Sequence, residues 1–173
     1  MAEFVILVDP NDNETGLMEK MEAHREALLH RAVSVFIFNS QKQLLLQKRA
    51  PDKYHSPELW TNTVCTHPKP DESNTDAVKR RLREEMGLAV TDVTKIFDFT
   101  YREKLDNELT EHEFDHVFIG FADSLPHPNP AEVSDYMYID TDKLRNDVEV
   151  NPQNYTVWFL KIIHRVLDEI QSA

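Results

Sequence analysis

The chain has 173 residues, 40% of them apolar, which suits one domain with a real core, and its 31 acidic against 19 basic side chains give a formal net charge of −12. A field of that sign repels nucleic acid and anionic membrane, so neither is an expected partner, and any anionic ligand must be held locally by clustered Lys and Arg or by metal ions. One cysteine excludes an internal disulfide, three glycines (Gly16, Gly87, Gly120) exclude a glycine-rich phosphate loop, and the opening MAEFVILV has neither signal-peptide nor membrane-span character. A soluble protein of a reducing cytoplasm is the expectation.

In chain order, FVILV (4–8) predicts a first strand and PNDNETG (10–16) a turn-rich loop. EKMEAHREALLH (19–30) has helical tendency. RAVSVFIFN and QLLLQKR flank the polar NSQK (39–42) and predict a hairpin, followed by a polar loop over 50–74. TDAVKRRLREEM (75–86) places Val78, Leu82 and Met86 on one helical stripe, with Asn74 or Thr75 as cap and Gly87 as stop. Strands are expected at 95–101, 113–122 and 135–139, with a Pro-rich segment between the last two. NYTVWFLKIIHRVLDEI (154–170), apolar at 159, 163, 166 and 170, predicts an amphipathic helix. No repeat or linker divides the chain, so the expected fold class is α/β in the mixed α+β sense: one compact domain, 1–173, with helices flanking a mixed sheet.

The charged helix carries the first chemical signal. In RRLREEMGL (80–88) both Arg80/Glu84 and Arg81/Glu85 stand at i, i+4 spacing, and taken alone they read as surface ion pairs of little energetic value. The wider spacing is more specific. Glu72, seven residues, then Arg80-Arg81-Leu82-Arg83-Glu84-Glu85-Met86-Gly87-Leu88 resembles the Nudix box, the loop-helix-loop whose glutamates hold divalent cations at a diphosphate; the similar segment spans about 66–88. Thr66 stands where that box usually begins with glycine, and Arg81 replaces a box glutamate. That loss weakens the case for Nudix hydrolysis, which needs a full acidic ligand set to activate water.

The stretch LWTNTVCTHPKPDESN (59–74), directly ahead of this modified box, gives the second signal. With LLHRAVSVFIFN (28–39), QKRAPDK (47–53), FTYRE (99–103), ELTEHEFDHVF (108–118) and TVWF (156–159) it resembles type 1 isopentenyl-diphosphate delta-isomerases of the Nudix superfamily. The resemblance covers most of the chain and implies an isomerase of isoprenoid precursor biosynthesis, interconverting isopentenyl and dimethylallyl diphosphate through a carbocation. It implies Cys65 and Glu113 as proton-transfer groups on opposite faces of the substrate, Tyr101 as hydrogen-bond partner of the carboxylate, and Trp158 as the indole facing the carbon skeleton.

The same resemblance implies a divalent metal (Mn²⁺, Mg²⁺ or Zn²⁺) on His24, His30, His67, Glu111 and Glu113, with His24 the least firmly placed by its spacing to His30. It also implies diphosphate contacts from Lys20, Arg49, Lys53 and Arg81, and a Mg²⁺ held by Glu85 against the phosphate oxygens. From the residues alone, each histidine is an ordinary surface or core group, each basic residue a surface charge, and Cys65 an inert small hydrophobe. Period-2 geometry does place Glu111 and Glu113 on one side of a strand. His55, His112, His116, His127 and His164 have no counterpart in the family set and are expected to be structural or surface groups, and Trp60 is expected to pack under the Cys65 loop. The expected substrate is a small prenyl diphosphate and the expected state a monomer. A Nudix hydrolase, or a metal- or prenyl-diphosphate-binding module without catalysis, remain the alternatives; the first leaves Cys65 and the Glu111/Glu113 pair without purpose.

Overall fold

The structure, a computed structural model, describes residues 2–172. Among them nine strands form one mixed sheet. β1 (Phe4–Val8) and β2 (Glu14–Glu19) make an edge hairpin, so strand structure begins inside the stretch expected to be a loop. The helical tendency of 19–30 is realised only in α1 (Lys20–Arg25), because His30 already opens β3 (His30–Phe38). β3 and β4 (Gln43–Arg49) do turn at 39–42, yet they pair only at Phe38 and Leu44 before splaying apart. The polar loop contains two short strands, β5 (Trp60–Thr61) and β6 (Val64–Thr66). β7 (Val93–Lys104), β8 (Thr110–Phe121) and β9 (Val133–Asp140) follow, each longer than the sequence suggested.

The centre of the sheet is the parallel pair β3/β8, in register from His30↔Glu113 to Phe38↔Phe121. Parallel strands are covered on both faces, and VSVFIF is accordingly buried throughout and apolar except at Ser34. One face packs Phe36, Phe38 and Val117 against α4 (Val157–Ser172), whose Phe159, Ile163 and Val166 are fully buried. The other packs Val33, Val35 and Ile37 against Val78, Leu82 and Met86 of α2 (Asn74–Met86). α3 (Thr141–Val150), which sequence periodicity did not signal, seats Leu144 and Val148 in the first of these cores. Trp60 packs against that same core, and its backbone bridges to Tyr155.

α2 is capped at both ends by local chemistry. The hydroxyl of Ser73, one residue earlier than expected, accepts the amide of Asp76 at 3.1 Å. Gly87 ends the helix at φ 62°, and its amide returns to the Arg83 carbonyl. A Cβ there would stand 2.7 Å from the carbonyl oxygen of His127, whose own amide bonds the Met86 carbonyl at 2.8 Å. Gly87→Ala therefore meets both left-handed strain and a backbone clash, and it is expected to destabilise the fold by about 2 kcal/mol or more. The urea midpoint falls accordingly with an unchanged m-value; an unshifted midpoint contradicts this.

Candidate active site

Strand register assembles the centre of the site. His30 on β3 is the direct parallel partner of Glu113 on β8, and Tyr101 on β7 is its antiparallel partner on the other side. The phenol of Tyr101 donates to Glu113 Oε1 at 2.6 Å, and His67 Nε2 lies 2.9 Å from Glu113 Oε2. Two residues along the same face, Glu111 stands 2.7 Å from His24 Nε2 and 3.6 Å from His30 Nε2. A one-residue slip of β8 would turn both carboxylates to the opposite face, so the apolar pattern that fixes register also fixes the ligands.

These atoms fit a cation better than they fit one another. One donor atom each from His24, His30, His67 and Glu111 lies within 4.8 Å of the others, and Glu113 adjoins them through His30 (3.5 Å) and His67. His24 Nε2, His30 Nε2 and Glu111 Oε1 are buried and, despite their proximity, lack hydrogen-bond geometry. Nδ1 of His24 faces the Lys20 carbonyl at 2.7 Å and Nδ1 of His30 the Leu28 carbonyl at 2.9 Å. A carbonyl only accepts, so each Nδ1 carries the hydrogen when the ring is neutral and each Nε2 offers its lone pair inward. The donor set suits a divalent ion and does not single out which one.

Without a cation the cluster holds protons. Burial opposes charge on His30, yet the Glu111 and Glu113 carboxylates outweigh it and raise its pKa to about 10. Burial likewise works against ionised Glu111, but its contacts with His24, His30 and His55 hold it well below the usual carboxylate range. Because His30 lies above its ordinary 6.5, its stabilising effect on the metal-free fold is complete below pH 6.5 and is lost as pH rises through about 10. A metal ion must displace that proton. Mn²⁺ binding at pH 8 is thus expected to release protons and to tighten with rising pH, read by titration calorimetry in buffers of different ionisation enthalpy; heats independent of buffer contradict this.

Cys65 lies half-buried in β6, opposite Ser34 of β3. Its Sγ is 3.3 Å from Asn62 Oδ1. The Asn62 amide nitrogen donates to the carbonyls of Val35 (3.1 Å) and Val64 (2.8 Å), which turns Oδ1 toward the sulfur as an acceptor. The sulfur must then supply the hydrogen. Burial first, then the Asp115 carboxyl, push the thiol up to about 12. The surroundings of Cys65 therefore favour the thiol, the form that can give a proton.

A single cavity of about 540 Å³ is lined by Cys65, His67, Tyr101, Glu111, Glu113 and Trp158 and equally by Lys20, Arg49, Lys53, Arg81 and Glu85. His24 and His30 lie fully buried behind it. Three of the cavity cations are already paired: Lys20 with Glu3 at 2.9 Å, Lys53 with Glu132 at 2.5 Å, and Arg81 with Glu84, Glu85 and Glu132 at 3.1–3.3 Å. Arg49 is a partial exception to its expected role, since its Nε and one terminal nitrogen donate at 3.1 Å to the carbonyls of Ser56 and His55. Its guanidinium also lies 5.2 Å from the centre of the Trp158 ring. Burial, only partly offset by Arg81 and Lys53, raises Glu85 to about 7. Its Oε2 lies 3.2 Å from Arg81 Nε without hydrogen-bond geometry.

Sequence reasoning missed several neighbours. Asp115 follows Glu111 and Glu113 at the same two-residue period, so that signal was available; it is fully buried and accepts the Ser34 hydroxyl at 2.6 Å. Asn62, three residues before Cys65, carries no sequence signal of its own. His55, expected to be a structural or surface group, is buried with Nε2 3.4 Å from Glu111 Oε2. Among the others so assigned, His116 is buried on Asp12 (3.0 Å), His112 bonds the Ala27 carbonyl, His164 pairs with Glu149, and His127 is exposed.

The mixed sheet, with α2 packed on one face and α4 on the other, has the layers of a Nudix domain. The chain matches the NUDIX domain family over residues 28–159 and belongs to it. Similar folds include DR0079 from Deinococcus radiodurans, at TM-score 0.79 and 22% identity over 94% of this chain and 98% of that one. MutT protein from Methanosarcina mazei follows at TM-score 0.65 and 18% identity over 82% and 94%. Within the Nudix domains the chain belongs to the isopentenyl-diphosphate delta-isomerases. It is 50% identical to the Isopentenyl-diphosphate Delta-isomerase of Pectobacterium atrosepticum over 97% of this chain and 93% of that one. It is 52% identical to Isopentenyl-diphosphate Delta-isomerase 1 of Aromatoleum aromaticum over 96% and 94%.

Proposed function

We propose that the protein interconverts isopentenyl and dimethylallyl diphosphate, with Cys65 and Glu113 as the two proton-transfer groups. The observation that carries this reading is a half-buried thiol and a buried carboxylate lining the same cavity as a cluster of cationic side chains. Double-bond migration adds a proton to the terminal carbon of the alkene and removes one from the carbon next to the diphosphate-bearing carbon, by way of a tertiary cation. A protonated Cys65 and an ionised Glu113 share one proton between them, so one gives as the other takes, and the roles exchange with direction. Tyr101 holds the carboxylate by its 2.6 Å bond and keeps one oxygen oriented.

The cation must meet neither water nor a nucleophile. Trp158, 4% exposed, offers a π face instead, worth about 0.5 to 2 kcal/mol. Lys20, Lys53 and Arg81 would exchange their present carboxylate partners for the diphosphate, Arg49 would bring its remaining N–H, and Glu85 would hold the Mg²⁺ that accompanies the phosphates. Remote binding energy of this kind orients the short apolar tail. His24, His30, His67, Glu111 and Glu113 would hold the second divalent ion, Mn²⁺, Mg²⁺ or Zn²⁺, whose charge, when bound, neutralises the buried carboxylates and sets the acidity of Glu113. No helix among the described residues is long and apolar enough to cross a membrane, and the reading includes a cytoplasmic monomer.

Isopentenyl diphosphate and Mg²⁺ incubated with the protein in D₂O are expected to give dimethylallyl diphosphate carrying deuterium, followed by NMR. Phosphate release from nucleotide substrates without deuterium exchange would instead favour a hydrolase.

A further inference from the structure

We propose that His55 is a positioning residue of the metal centre: its Nε2–H holds Glu111 Oε2, while its ring edge seats the indole of Trp158. His55 is 2% exposed, and Nε2 has no hydrogen-bond partner among the described residues. The atom it faces is Glu111 Oε2, at 3.4 Å. Nδ1 lies 3.2 Å from the Ser56 hydroxyl, which can donate to it and leave the ring hydrogen on Nε2. Glu111 then divides its two oxygens, with Oε1 among the His24 and His30 nitrogens and Oε2 toward His55. His55 thus faces the Glu111 oxygen that is turned away from the His24 and His30 nitrogens, which sets it behind the carboxylate.

The loop is built to hold the ring in place. The guanidinium of Arg49 donates to the backbone carbonyls of both His55 and Ser56. Ser56 and Glu58 adopt φ of 49° and 58°, a conformation that L residues avoid unless their surroundings impose it. The Ser56 amide is further tied to Asp106 at 3.1 Å. On its other side the His55 ring meets Trp158 edge to face, centroids 5.6 Å apart and planes at 89°, and Tyr54 packs edge-on at 4.4 Å. One imidazole thus touches both a metal-site carboxylate and the indole assigned to the carbon skeleton.

The inference rests on the metal reading of the His/Glu cluster, and the test separates the two. Mn²⁺ affinity is measured by chelator competition, and the bound ion is followed by EPR, for the wild-type protein and for His55→Phe, His55→Ala and His55→Gln. Removal of the N–H in His55→Phe or His55→Ala is expected to weaken Mn²⁺ binding about 10- to 100-fold and to alter the EPR line shape, with the thermal melt of the metal-free protein retained in at least one of them. His55→Gln, which keeps an N–H near the same place, is expected to recover most of the affinity. Wild-type affinity and line shape in both the Phe and Ala variants overturn the role of His55. So does a fourth histidine nitrogen coupled to Mn²⁺ in the wild type that is lost on substitution, because His55 would then be a ligand. Failure of the wild-type protein to bind Mn²⁺ overturns the metal reading itself.

Discussion

Cys65→Ala is expected to slow isomerisation by about 10²- to 10⁴-fold, the range of a lost general acid or base, while leaving substrate affinity and the thermal melt close to wild type. The side chain is half-buried beside Asn62 and Ser34, and without its sulfur the Asn62 oxygen still accepts the Thr61 hydroxyl at 2.9 Å. The structural cost is small. The loss should therefore appear in kcat, read from initial rates with isopentenyl diphosphate at saturation. A rate within tenfold of wild type would remove the thiol from the chemistry.

Glu113→Gln is expected to cost more, at least about 10³-fold in turnover, because one substitution removes two properties of the same carboxylate. The amide keeps the shape and can still accept from Tyr101, but it cannot take a proton and it offers His67 and a metal ion no charge. Metal analysis distinguishes the two losses. A variant with full metal content and little turnover points to proton transfer, whereas one whose activity returns in excess Mn²⁺ points to ligation. Near-normal turnover without added metal would exclude Glu113 from both roles.

Much of the fold was legible because its periods are strong. The α2 stripe of Val78, Leu82 and Met86 and the α4 stripe through Phe159, Ile163 and Val166 are buried as their spacing demands. The β-rich RAVSVFIFN was expected as one arm of a hairpin, and it forms a strand there, but its parallel pairing with β8 at the centre of the sheet had no local signal. The short strands β2, β5 and β6 escaped because partners determine them: Val64–Thr66 pairs with Val33–Val35 across about thirty residues, and no local propensity announces it. α3 escaped because TDKLRNDVEV has only two buried anchors, Leu144 and Val148, within ten residues.

The candidate site divides in the same way. Glu111 and Glu113 on one strand face follow from a period of two, and Asp115 would have followed from one further step. The placement of His24 beside His30 depends on α1 ending at Arg25 and on the turn after it, with Ala27 at φ 56°, which spacing along the chain does not encode. His55 is placed by the Arg49 clamp on its loop, a tertiary contact without a sequence signature. The protonation state of Cys65 likewise comes from the orientation of the Asn62 amide and could be read only in three dimensions.

The most direct measurement is a crystal structure of the metal-loaded protein with a non-reactive analogue of isopentenyl diphosphate. The prediction is that the Cys65 sulfur and a Glu113 oxygen flank the five-carbon chain from opposite sides, with the Trp158 ring over its branched carbon and the diphosphate among Lys20, Lys53 and Arg81. A chain lying with both groups on one side, or with either group out of reach of a carbon that gains or loses a proton, would contradict it.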